Sequence, residues 1–116
     1  MNSRDMQIIN KILEEIKVIE DIIAGFDLGK FQADERTKRA SCMTLINIGE
    51  LSKSLTDTFK TQYDSISWKA IAGMRDVTAH KYQTLKMSDV WVTMTDDLPK
   101  LKMQLIELQQ SSKLHE

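Results

Sequence analysis

The stretch "IINKILEEIKVIEDIIAGF", residues 8–26, decides the fold class. Its apolar residues Ile9, Ile12, Leu13, Ile16, Ile19, Ile23 and Phe26 recur three or four positions apart, with Glu and Lys between them. That period places them on one stripe of an α-helix, while a half-buried strand would alternate every second residue. Asn2 or Ser3 can cap the start, and Gly25 lies near the end.

The rest of the chain repeats this pattern. "FDLGK", 26–30, reads as a turn. Gly25, Gly29 and Lys30 faintly resemble a phosphate loop, but the spacing is one residue short and Phe31 stands where Ser or Thr is required. A second helix is predicted from about Ala33 to Leu55. Ile46, Ile48, Leu51 and Leu55 supply its apolar face, with Met43 and Ala40 upstream. Glu50 falls among these residues, as a partly buried carboxylate that pairs with a base. "TDTFKTQYDSIS" reads as a connector.

Ser65 or Ser67 then caps a third helix containing Trp68, Ile71, Met74 and Val77, ending around Tyr82. A fourth starts near Ser88 and carries Val90, Trp91, Met94, Leu98, Leu101, Leu105 and Leu108. Pro99 lacks an N–H and should kink or split it. Residues 110–116 form a polar tail. With only four glycines and one proline in 116 residues, breakers are too few for a turn-rich β fold. The expectation is one all-α domain over 1–116, an antiparallel bundle of four to five helices. Seven methionines are core filler.

Composition excludes several classes of function. No apolar run approaches the roughly 20 residues that span a bilayer, and no signal-peptide pattern opens the chain, so a cytoplasmic protein is expected. Cys42 is the one cysteine, which rules out an internal disulfide or a CxxC metal site. Net charge is −1, but it is unevenly spread. Residues 68–86 hold Lys69, Arg75, Lys81 and Lys86 against Asp76 alone, net +3. Such a local island attracts phosphates even when total charge does not.

That island contains "RDVTAHKY", residues 75–82. On a wheel of 100° per residue centred on Ile71, Ala70, Met74, Val77 and Thr78 form the core face. Arg75 and Tyr82 share one shoulder. Asp76 and His80, four apart, share the opposite side, where Asp76 can orient the imidazole and favour its protonated form. Ala72, Gly73 and Ala79 keep that surface low. Arg75 and His80 diverge by about 140°, so one chain cannot easily aim both at one atom. Two copies packed through the low surface can, which makes a homodimer a chemical expectation. His80 would transfer protons and Arg75 would clamp a phosphate by a forked pair of hydrogen bonds. This pairing suits metal-free RNA cleavage by 2′-hydroxyl attack, with Lys69, Lys81 and Lys86 as phosphate contacts. Asp76 and His80 could also be two metal ligands, but no further His or Cys gathers to complete a site, so no metal or cofactor is expected.

"RDVTAHKY" resembles the R-x4-H-x-Y motif of HepT-like proteins, a branch of the HEPN superfamily. "SWKAIAGMRDVTAHKY", "INIGE" and "VWVTMTDDLPKL" resemble that family's flanking blocks, so the resemblance covers nearly the whole chain. It implies a HEPN bundle acting as a homodimeric, metal-independent RNase, the toxin half of a type VII-like toxin–antitoxin pair. The implied partner is a nucleotidyltransferase antitoxin that silences the toxin by attaching AMP to the motif tyrosine. By position, Arg75 and His80 are then catalytic, Asp76 is the polar residue after the arginine, and Tyr82 is the acceptor. Lys86 departs from the Asp that relatives often carry there, which weakens a helix cap and adds positive charge. The competing expectation is a non-enzymatic subunit that presents a substrate or nucleotide to a nucleotidyltransferase.

Overall fold

The computed structural model describes residues 3–114, except the side chains of 75–81 and of 113 and 114. Helix α1 spans Ser3–Ile23 and buries Ile8, Ile9, Ile12, Ile16 and Ile19, the stripe read from the sequence. It stops where Gly25 takes φ +79°, a left-handed turn that a side chain would resist. Asp5, buried in its first turn, accepts from the Thr56 backbone N–H at 2.9 Å and from Thr56 Oγ1 at 2.8 Å. A buried carboxylate is thus satisfied by the segment that starts a later helix.

"FDLGK" is more than a turn. Asp27 accepts from the Lys30 N–H at 2.8 Å and caps a short helix, α2, over Leu28–Ala33. Its Phe31 is fully buried, with its ring centroid 5.3 Å from that of Trp91. Helix α3, Glu35–Lys53, starts at Asp34, whose side chain accepts from the Thr37 N–H. The expected connector holds another short helix, α4, Asp57–Gln62, capped by Thr56. Each cap satisfies an N–H that the first helical turn leaves without a partner. Helix α5 spans Trp68–Lys81, with Ser67 at the N-cap position but making no side-chain cap bond. A 3-10 turn, Tyr82–Thr84, follows.

The last apolar stretch is split as Pro99 requires. Helix α6, Met87–Val92, passes through a π-helical turn, Thr93–Asp97, into α7, Leu98–Leu114. The Leu98 N–H reaches back five residues to the Thr93 carbonyl. The widened turn fits a residue that cannot donate and that crowds the carbonyl four before it. Residues of the expected polar tail are helical as far as Leu114, and Ser112 is buried.

The chain is an all-α helical bundle with no strand among the described residues. Helix α3 lies between α1 and α5, and α7 returns along α1, where Lys102 pairs with Glu20 at 3.0 Å. Three sequence expectations are corrected. Met43 is 55% exposed and Ala40 is also exposed, because the inward side of α3 carries Ser41, Cys42, Leu45, Ile48 and Ser52. Met43 lies about 160° from Leu45 on that helix. Glu50 is exposed rather than partly buried. Ala70 is exposed rather than part of the core face of α5, because it lines an open groove. Among the described residues no helix is long and apolar enough to cross a membrane.

Candidate active site

Helix α5 is held at its start. Trp68 is buried, its indole N–H donates to the Tyr63 carbonyl at 3.1 Å, and its ring lies 6.0 Å from Phe59. Ile71 is buried one turn on, and Met74 is half-buried. The helix backbone then carries the motif positions 75–81. The side chains of Arg75, Asp76, His80 and Lys81, predicted to act on RNA, lie outside the described residues.

The outer side of α5 faces a groove of about 540 Å³, closed opposite by α6, the π turn and α7. Its floor is apolar, with Leu45, Ile71, Met74, Leu85, Val90 and Leu101 among the lining residues. Gly73 borders it, and a Cβ added there would meet nothing within 4 Å. Of the low surface expected at Ala72, Gly73 and Ala79, the first two residues are partly exposed, and the side chain of Ala79 lies outside the described residues.

Two of the expected phosphate contacts, Lys69 and Lys86, are exposed. Lys86 occupies the N-cap position of α6 in extended conformation and makes no side-chain cap bond. Its side chain has only donors, so it cannot accept from the first N–H groups of the helix.

Tyr82 begins the 3-10 turn immediately after α5. Its half-buried ring packs against the core. Its hydroxyl emerges at the surface and donates to Glu35 Oε1 at 2.9 Å. The same Oε1 accepts from Arg39 Nε at 2.8 Å, and Lys38 Nζ lies 3.0 Å from Oε2. The Arg39 guanidinium carbon stands 4.9 Å from the centre of the Tyr82 ring, a cation over an aromatic face. Burial, and then the bond to Glu35, hold the Tyr82 phenol above its ordinary pKa. Hydrogen bonds from Lys38 and then Tyr82 hold the Glu35 carboxyl below its own. At neutral pH the pair is therefore a neutral phenol donating to a carboxylate.

Sequence reading missed Glu35, Lys38 and Arg39, which stand in the polar half of the second predicted helix. Nothing local links position 35 to position 82. The available signal was the i, i+4 pair Glu35 and Arg39 at a helix start, which marks a helix face but no tertiary partner.

The all-α bundle is consistent with a HEPN-type helical protein. A family model described as "Ribonuclease HepT-like" matches residues 12–108, and the chain belongs to that family. The chain is 32% identical over 102 residues to "Putative RNase TTE0752" of Caldanaerobacter subterraneus subsp. tengcongensis, covering 88% of this chain and 91% of that protein. It is 34% identical over 91 residues to "Probable ribonuclease HepT" of Thermococcus cleftensis, covering 78% and 83%. A third relative, "Gamma-glutamylcyclotransferase and putative RNase MJ0434" of Methanocaldococcus jannaschii, is 31% identical over 106 residues, which is 48% of its own length. No solved structure matches the chain.

Proposed function

We propose that the protein is a metal-independent endoribonuclease toxin, silenced by a nucleotidyltransferase antitoxin that adenylylates Tyr82. The observation that carries this reading is the family match over residues 12–108, which contains Arg75, His80 and Tyr82 in R-x4-H-x-Y order. Cleavage proceeds by attack of the RNA 2′-hydroxyl on its own phosphate, with His80 transferring the proton and Arg75 holding the charge that builds on phosphorus. Asp76 orients the imidazole, and Lys69, Lys81 and Lys86 gather the RNA backbone. Each site is completed in a homodimer, because Arg75 and His80 diverge on one helix. The open groove and the low surface at Ala72 and Gly73 favour that assembly.

Adenylylation of Tyr82 sets a phosphate and a nucleoside beside cations meant for RNA, so silencing needs only occupancy and charge neutralisation. The surface position of the Tyr82 hydroxyl supports its role as acceptor.

His80→Ala should lose a factor of roughly 10² or more in cleavage while keeping its helix content. Arg75→Lys should fail as well, since an ammonium cannot make the forked contact. Cleavage should persist in EDTA and leave a 2′,3′-cyclic phosphate or its hydrolysis product. Full activity in His80→Ala would reject the mechanism. RNA or nucleotide binding with no cleavage by the wild type would favour the alternative, a non-enzymatic subunit of a nucleotidyltransferase complex.

A further inference from the structure

Tyr82 and Glu35 are 47 residues apart, yet the phenol of one donates to the carboxylate of the other at 2.9 Å. Glu35 is the first residue of α3 and its side chain is 53% exposed, so the pair sits where a second protein can reach it. Lys38 and Arg39, one turn further along α3, complete a cluster of two cations and one anion, with net charge +1. Burying the Tyr82 ring against the core requires no such cluster. What the cluster supplies is an acceptor for the phenolic proton and a local surplus of positive charge.

We infer that Glu35 accepts the Tyr82 proton when the phenol is adenylylated, and that Arg39 and Lys38 then hold the new phosphodiester. This rests on the reading of Tyr82 as the AMP acceptor. In the step, the phenolic oxygen forms a bond to the α-phosphorus of ATP supplied by the nucleotidyltransferase. The bond from that phosphorus to the oxygen bridging the β-phosphate breaks, and pyrophosphate leaves with the electron pair. The phenolic proton passes along the existing hydrogen bond to Glu35 Oε1. It moves late, once electron density has left the oxygen for phosphorus and the phenol has become acidic. Glu35 then returns the proton to solvent. The phosphodiester brings a charge of −1 beside a cluster that, among the described residues, has net +1. Without the two cations, the modified tyrosine would set one anion against another.

The test uses the intact protein with MgATP and a nucleotidyltransferase of the proposed antitoxin class, with AMP incorporation followed by intact mass. Glu35→Gln keeps the size and an acceptor oxygen but cannot take the proton. Its kcat for modification should fall at least tenfold, with KM for the toxin changed less than twofold and an unchanged melting temperature. Glu35→Asp should recover part of the rate, whereas a side chain that merely braced the tyrosine would have no need of a carboxylate. A second measurement needs no partner enzyme: labelling of Tyr82 by 5′-fluorosulfonylbenzoyl adenosine. There the phenol displaces fluoride from sulfur and gives up the same proton, and Glu35→Gln should again be slower. Wild-type rates for Glu35→Gln in both assays, with Tyr82→Phe unmodified, would overturn the role of Glu35 and leave the acceptor reading standing. Modification of Tyr82→Phe at the wild-type rate would overturn the acceptor reading, and the role of Glu35 with it.

Discussion

Helices α1 and α5 are both packed on α3, but they are built to different ends. Along α1 the stripe is continuous: Ile9, Ile12, Ile16 and Ile19 are each at most 1% exposed. Among the described residues of α5 the buried apolar anchors are Trp68 and Ile71, while Ala70, Gly73 and Met74 line an open groove. One helix spends its surface on burial. The other is anchored at its start and borders an open groove at Gly73 and Met74. Helix α3 packs against both, carrying core residues along one side and Glu35 as its first residue.

The contrast is broken most severely in the core. Ile16→Ala on α1 should lower unfolding free energy by about 2–5 kcal/mol, the cost of a buried branched side chain plus the cavity it leaves. Met74→Ala on α5 should cost well under half of that, because its site already opens to the groove. Chemical denaturation of the two variants checks this. Equal losses would mean that the groove is filled in solution, as a dimer through α5 would fill it, and sedimentation would then show the dimer.

The sequence made the two helices unequally legible. A continuous stripe such as that of α1 announces its own face, and the π turn before Pro99 follows from a missing N–H. Capping was poorly legible: Ser67 was read at its N-cap position but makes no side-chain bond, while Asp27, Asp34 and Thr56, which do cap, were not read. The short helices α2 and α4 were hidden inside stretches too brief to show a period. Met43 and Ala40 misled because the buried side of α3 is lined with small and polar residues, Ser41, Cys42, Thr44 and Ser52, among few large apolar ones. The motif could be read from spacing, whereas the Glu35–Tyr82 pair is purely tertiary. Periodicity reports which face is covered, never by what.

A second prediction probes α3 beneath the tyrosine cluster. Cys42 is buried, and burial, with a smaller contribution from Glu35, pushes its thiol up to about 11 from 9.0. The folded state therefore keeps the proton longer than the unfolded chain does. The thiol's contribution is fully present below pH 9 and is lost as pH rises toward 11, amounting to about 2 kcal/mol at pH 11. Cys42→Ala should flatten that part of the alkaline stability profile, measured by denaturant midpoints between pH 8 and 11. An unchanged slope would assign the loss to other groups, Tyr82 among them, since its phenol shifts in the same direction.

The smallest expected effect lies at the junction between the two regimes, where α6 starts at Lys86. The residue has the extended backbone of an N-cap, φ −80° and ψ 115°, and lacks an acceptor with which to use it. Lys86→Asp would offer a carboxylate to the Ser88 or Asp89 N–H and favour the positive end of the helix. Repulsion from Asp89 in the same first turn offsets part of this, so the gain in stability should be about 0.5 kcal/mol, read from the shift in denaturant midpoint. The same change removes one cation from the basic island and adds one anion. If Lys86 contacts RNA phosphate, affinity should fall across sequences, and the slope of log affinity against log salt should drop by about 1. A stabler protein that binds RNA more weakly is the expected outcome: the lysine forgoes a cap to keep a charge. Unchanged RNA affinity and salt slope would return Lys86 to the ordinary solvated surface and confine the phosphate contacts to α5.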